Sequence, residues 1–474
     1  MVFTSLHFVA FFAVVYALYR ALPHRAQNVM LLAASYYFYG SWDWRFLSLL
    51  LGSTVVDYLV GGYLGRETRP GRRRLALVLS LIFNLGMLGF FKYFEFFEES
   101  LVALGSLVGW TFDPFTLDVI LPIGISFYTF MTISYVIDVY RRDIEPTTHP
   151  LDFALFVAYF PHLVAGPILR ASLLLPQIER PRTVTSAQVV SGLWLMGWGC
   201  FQKMFVADNL APIVDTVFSA SASPSGADVI VATWAFAFQI YGDFAGYSNI
   251  ARGTSRLMGI ELNVNFRFPY FVTSPQEFWR HWHISLSTWL RDYLYIPLGG
   301  SRGGTWRTHR NLMITMALGG LWHGAAWTFV IWGIYQGLVL VAAREVGRRA
   351  AQAGVVIRAG LNGPRVALAV VMFQVTCYGW LIFRAESASQ IVRFTRLIVT
   401  DPWPTVATID SLLVPLVLIV GPLMAVHAYQ ARKDDEDAPL AWPRLARYAL
   451  YGALFYLILL WGDFEGAQFI YFQF

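Results

Sequence analysis

Charge is scarce in this sequence. Only 14% of the 474 residues are Asp, Glu, Lys or Arg, against roughly 25% in a soluble globular chain, too few to solvate the surface of a water-exposed protein. Hydrophobic residues make up 57%, aromatic residues 17%, and mean hydropathy is +0.52. Cysteine is scarcer still: Cys200 and Cys377 both lie in apolar runs, which argues against a disulfide framework and offers no metal-ligand spacing. No metal site is expected. There is no soluble domain, periodic repeat or low-complexity tract, and the strongly polar linker ARKDDEDAP (431–439) reads as a solvated loop. The net charge of +5 matters less than its location, and no nucleic-acid partner is expected.

Apolar length is abundant instead. Runs near the ~20 residues that cross a bilayer recur at about 2–22, 27–41, 46–64, 75–95, 116–140, 151–168, 188–206, 228–247, 311–343, 366–383, 411–429 and 446–463. The expected class is all-α: a polytopic membrane protein with about 11 transmembrane helices plus re-entrant and interfacial helices, in a single domain over 1–474. Its parts would be N-terminal helices (1–250), a core (251–345) and C-terminal helices (346–474). The first run has neither a basic segment before it nor a small-residue cleavage signature after it, so it reads as a retained helix. Gly and Pro interruptions suggest helices that stop at membrane depth around a cavity.

Basic loops orient the chain. GRETRPGRRR (65–74) carries five arginines, and 251–310 carries eight (252, 256, 267, 280, 291, 302, 307, 310) against Glu261, Glu277 and Asp292. Both are expected on the cytoplasmic side, which puts the N-terminus outside and requires the Pro-broken 151–168 segment to dip in and return. The apolar run between Arg310 and Arg344 is too long for one straight crossing and too short for two. It is expected to enter near Arg310, bend around Gly319–Gly320 and return.

His323, in GGLWHGAAW (319–327), then lies 13 residues inside, or ~20 Å at 1.5 Å per residue. An ionisable residue at that depth is a functional hypothesis by default, weighed against a neutral imidazole that only fastens two helices. Gly320 and Gly324 form a small-xxx-small pair that permits close backbone approach, while Trp322 and Trp327 could wall a channel.

SPQEFWRHWHISLSTWLRDYLYIPLGGSRGG (274–304) reads as a helix from Pro275. Phe278, Trp282, Leu286, Trp289 and Tyr293 form its apolar stripe; Arg280, His283, Ser287 and Arg291 form a polar one. The pattern suits the membrane interface. The polar stripe could instead face an anionic ligand such as a phosphorylated cofactor. His281 and His283, two apart, point to nearly opposite sides and cannot line one cavity. GGSRGG lacks the setting of a phosphate loop. Asp243 could cap, pair or line a cavity; His162, beside Pro161, reads as a hydrogen bonder at a kink. Glu95, Glu98 and Glu99 read as a solvated helix end. No nucleophile elbow, His-Glu-x-x-His or Walker motif is present. The chemistry would rest on a histidine, whose unperturbed pKa near ~6.5 suits a general base at neutral pH. A proton-coupled transporter is the rival from another class, although no inverted repeat supports it; a scaffold for a secreted partner is a third reading.

Several long motifs in order then carry a resemblance: LPIGISFYTFMTISYVIDVYRRDIEP (121–146), FPHLVAGPILR (160–170), QIYGDFAGYSNIARG (239–253), FWRHWHISLSTWLRDYLYIPLGG (278–300), LGGLWHGAAWTFVIWGIYQG (318–337), FRAES (383–387) and FIYFQF (469–474). Over nearly its full length the chain resembles the membrane-bound O-acyltransferase (MBOAT) family, in its bacterial alginate O-acetyltransferase branch. The resemblance implies a helical membrane fold with a funnel leading to a catalytic histidine from each face. His323 would be that histidine and His283 the second one, with Arg280, Ser287, Arg291 and Trp322 in the acyl-donor funnel. The donor would be acetyl-CoA or another acetyl thioester from the cytoplasm, and the location the bacterial inner membrane. The acetyl group would pass outward to a secreted or periplasmic acetyltransferase, which decorates an exopolysaccharide. One departure is His281, where relatives often carry arginine. D-alanyl or peptidoglycan acyl transfer by the same fold is the alternative within the family.

Overall fold

In hydrocarbon a backbone N–H or C=O has no water to bond, so a spanning segment must satisfy its own polar groups, and a helix does so within itself. The computed structural model describes residues 1–110, 119–164, 166–353, 363–464 and 469–470, and among these every regular element is helical. Among the described residues, six helical stretches are long and apolar enough to cross a membrane: His24–Arg66, Pro70–Leu107, Gly226–Leu257, Trp327–Gln352, Pro364–Arg384 and Val406–Lys433; Leu6–Ala21 is a shorter apolar helix. Leu59, Ile82, Val417 and Leu418 are exposed along these stretches, as side chains facing lipid would be. The protein is a polytopic helical membrane protein.

The chain forms two compact units: Met1–Leu193 with Ala251–Asn263, and Trp194–Ile250 with Val264–Phe474. In the first, polar side chains join three helices. Ser80 donates to Asp57 Oδ1 (2.6 Å), Asn84 Nδ2 to Asp57 Oδ2 (2.9 Å) and Ser53 to Asn84 Oδ1 (2.8 Å), all fully buried. Thr132 hydrogen-bonds with Ser53 at 3.2 Å. Such groups fasten helices where hydrophobic contrast cannot. Arg73, from the basic GRETRPGRRR stretch, is buried rather than solvated. Its guanidinium donates to the carbonyls of Leu64, Glu67, Val139 and Tyr140, at the C-terminal ends of the Leu47–Arg66 and Ile125–Arg141 helices, where carbonyls lack the i+4 partner of a helix interior. The 151–168 segment is broken at Tyr159 into Pro150–Ala158 and Phe160–Leu163, each too short to cross. His162 bonds the Phe156 carbonyl at that break, 3.0 Å away.

In the second unit the run after Arg310 forms two helices, Thr305–His323 and Trp327–Gln352. The bend expected at Gly319–Gly320 lies instead at Gly324–Ala326. Gly320 is needed for packing: a Cβ there would strike the Phe329 carbonyl oxygen, and one on Gly333 would strike that of Met316. The glycines bring the two backbones together and remain helical. The expected single helix from Pro275 is likewise two, Pro275–His281 and Ile284–Leu290, so no continuous polar stripe exists. The apolar residues still share a buried side: Trp282 packs 4.7 Å from Trp380 and 5.7 Å from Phe278, ring to ring.

Candidate active site

His323 is the last residue of its helix. Gly324 follows in extended backbone (φ −158°) and ends it, so the imidazole sits at the turn of the hairpin, only 4% exposed. Its ring lies 5.0 Å from Trp332, 5.1 Å from Trp322 and 5.5 Å from Phe383, each nearly perpendicular.

His283 occupies the break between the two short helices. Its backbone is left-handed (φ 41°, ψ 56°), a region that costs a non-glycine residue about 1–2 kcal/mol. Asn265 holds it there. The Asn265 carbonyl accepts from Ile284 N (2.9 Å), and its Oδ1 accepts from Ser285 Oγ (2.9 Å) and Ser285 N (3.3 Å). The twist drives the His283 ring fully inside, 4.6 Å from Phe244, 6.3 Å from Phe266 and 5.9 Å from Trp322. The His283 and His323 rings are 6.3 Å apart. His283 lies outside the six spanning stretches, and burial pushes its pKa down to about 3, leaving a neutral ring at pH 7.

The remaining expected residues are dispersed. Arg280 is exposed. Arg291 is exposed and pairs with its neighbour Asp292 at 2.7 Å. Ser287 donates to the Trp282 carbonyl at 3.1 Å. Trp322 packs against both histidines, while Trp327 is 59% exposed. His281 bonds the Arg267 carbonyl, and the continuous helix on which its expected orientation relative to His283 depends is broken between the two residues. Asp243 pairs with Lys203 at 2.6 Å. Sequence reasoning missed Trp332, Phe383, Phe244 and Asn265, which touch or hold the histidines from distant segments. It also missed Lys203, whose charge within an apolar run was the available signal.

The MBOAT family (membrane-bound O-acyltransferase) matches residues 144–378, a range that includes both histidines. A probable alginate O-acetylase from Pseudomonas aeruginosa is 45% identical over 395 residues, covering 82% of this chain and 72% of that protein. The chain belongs to the membrane-bound O-acyltransferase family. This MBOAT is an acyltransferase. It is also similar to a peptidoglycan O-acetyltransferase of Helicobacter pylori, 34% identical over 424 residues (83% and 78% of the two chains). A teichoic acid D-alanyltransferase of Streptococcus thermophilus is 28% identical over 236 residues (46% and 56%). Of the motifs read from the sequence, FRAES places Phe383 against His323, while residues 471–474 of FIYFQF lie outside the described residues.

Proposed function

We propose that this acyltransferase moves an acetyl group from a cytoplasmic thioester, acetyl-CoA or another acetyl carrier, for O-acetylation of an exopolysaccharide such as alginate. The reading rests above all on two buried histidines 6.3 Å apart, ring to ring. It is supported by the probable alginate O-acetylases of Pseudomonas aeruginosa and Azotobacter vinelandii, each 45% identical.

His323 is the general base. Its imidazole accepts the proton of the acceptor hydroxyl while the oxygen forms a bond to the thioester carbonyl carbon. The C–S bond then breaks, and the departing thiolate takes that proton from the imidazolium. His283, neutral, polarises or positions the donor carbonyl. Trp322, against both rings, shapes the space the thioester enters, and dry aromatic walls strengthen each polar contact made within them. Arg280 and Arg291, both exposed, meet the phosphates of the donor; charge-assisted contacts are stronger than neutral ones. Ser287 belongs to the same approach.

The protein resides in the bacterial inner membrane with its N-terminus outside and its Arg-rich 251–310 segment in the cytoplasm. It passes the acetyl group to a secreted or periplasmic acetyltransferase. The test is the purified His323→Ala protein in lipid. Transfer is abolished while folding and insertion persist; acetylation at the wild-type rate refutes the assignment. Identifying the thioester consumed separates acetyl from D-alanyl transfer. The 34% identity to a peptidoglycan O-acetyltransferase keeps peptidoglycan as the second acceptor to assay.

A further inference from the structure

Lys203, Asp208 and Asp243 form an ion cluster that the chemistry above does not use. Lys203 Nζ lies 2.7 Å from Asp208 Oδ1 and 2.6 Å from Asp243 Oδ1, with all three side chains buried. Burying a charge costs several kcal/mol per ion, and apolar packing of equal volume is often as stable or more so. Asp208 alone would neutralise the lysine. The second carboxylate is therefore surplus to pairing, and its other oxygen has a different partner: Asp243 Oδ2 accepts the backbone N–H of Ile470 at 2.7 Å.

That bond leads to His283. Phe469, fully buried, packs 4.8 Å from Tyr247 and 5.4 Å from Phe244, and Phe244 packs 4.6 Å from His283. Asp243 and Phe244 are adjacent on one helix. The chain approaching Phe469 is fastened upstream as well: Asn209 Nδ2 donates to the Trp461 carbonyl (2.7 Å) and Asp463 N to the Met204 carbonyl (3.1 Å). Close backbone approach makes the cluster possible. A Cβ on Gly242 would lie 2.7 Å from the Gln202 carbonyl oxygen, and one on Gly246 2.8 Å from that of Gly199.

We propose that Asp243 is a positioning residue for His283. It holds Ile470 so that Phe469 closes behind Phe244, and Phe244 fixes the ring of a histidine whose left-handed backbone lies outside any regular helix. The proposal rests on the reading that His283 acts on the acyl donor.

The experiment uses the full chain in lipid nanodiscs, as wild type, Asp243→Asn and Phe469→Ala. The rate at which diethyl pyrocarbonate modifies His283, read by peptide mapping, reports ring mobility whatever the role of His283 in transfer. Both variants raise it by about tenfold or more, as local loosening requires. In parallel, kcat falls by about 10²-fold, the scale of a 1 Å misplacement, with KM for the thioester little changed. Adding Asp243→Asn to His283→Asn causes no further loss. Unchanged modification in both variants overturns the proposal, as do losses that multiply in the double variant. If Asp243→Asn does not fold, Phe469→Ala, which alters no charge, carries the test. Wild-type activity in His283→Asn refutes the reading of His283 instead, while the modification rates still decide the positioning.

Discussion

Asn265 Oδ1 accepts both the backbone N–H and the hydroxyl of Ser285, so one amide governs how the chain leaves His283. Asn265→Ala would orphan a buried amide at a cost of about 1–3 kcal/mol and free the turn. Acyl transfer is expected to fall by about tenfold to 10²-fold, and Asn265→Asp, which keeps the acceptor, to recover most of it. Equal activity in wild type and Asn265→Ala would remove the turn from the site.

The left-handed backbone of His283 separates two ways of deleting the ring. Asn tolerates that conformation better than other non-glycine residues, and Ala does not. His283→Asn and His283→Ala are expected to lose activity alike, with His283→Asn the more stable by about 1 kcal/mol in thermal unfolding in lipid. Identical stabilities would show that the turn is held regardless of residue 283.

Burial lowers the His283 pKa from 6.5 to about 3 in the folded protein. As pH falls, the unfolded chain therefore takes up this proton first. The ring's contribution to stability is complete above pH 6.5 and is lost progressively toward pH 3. Acidification from pH 7 to pH 4 is expected to lower the Tm of wild type more than that of His283→Asn. Parallel Tm curves for the two proteins would contradict it.

Gly320→Ala and Gly333→Ala each place a methyl group against a carbonyl of the facing helix. Overpacking of this kind costs about 1–3 kcal/mol, and both variants are expected to unfold at lower temperature and to lose activity as the hairpin spreads at His323. Gly347, on the same Trp327–Gln352 helix, has open space where a Cβ would lie. Gly347→Ala is expected to be neutral or stabilising by up to about 1 kcal/mol. Thermal melts of the three variants check both statements.

The helices were legible in the sequence because lipid imposes length and apolarity on each span independently. The burial of His323 was legible for a related reason: an imidazole among glycines has no place in a lipid-facing helix. The turns were less so. Gly320 and Gly324 read alike, yet one packs within a helix and the other ends it, and the difference depends on Phe329 and Gly333 across the hairpin. The break at His283 was hidden because Phe278, Trp282, Leu286 and Trp289 keep helical spacing across it, and the residue that stabilises the break, Asn265, lies 18 positions upstream. The walls of the site were hidden for the same cause. Phe244 and Phe383 are ordinary apolar residues until folding brings them to the two rings.

The Arg73 guanidinium binds carbonyls from residues as early as Leu64 and as late as Tyr140. During synthesis, then, this arginine has Leu64 and Glu67 within reach of its own segment but cannot complete its contacts until the ribosome has passed residue 140. The tie between the end of the Leu47–Arg66 helix and that of Ile125–Arg141 therefore needs a segment made 66 to 67 residues after Arg73 itself.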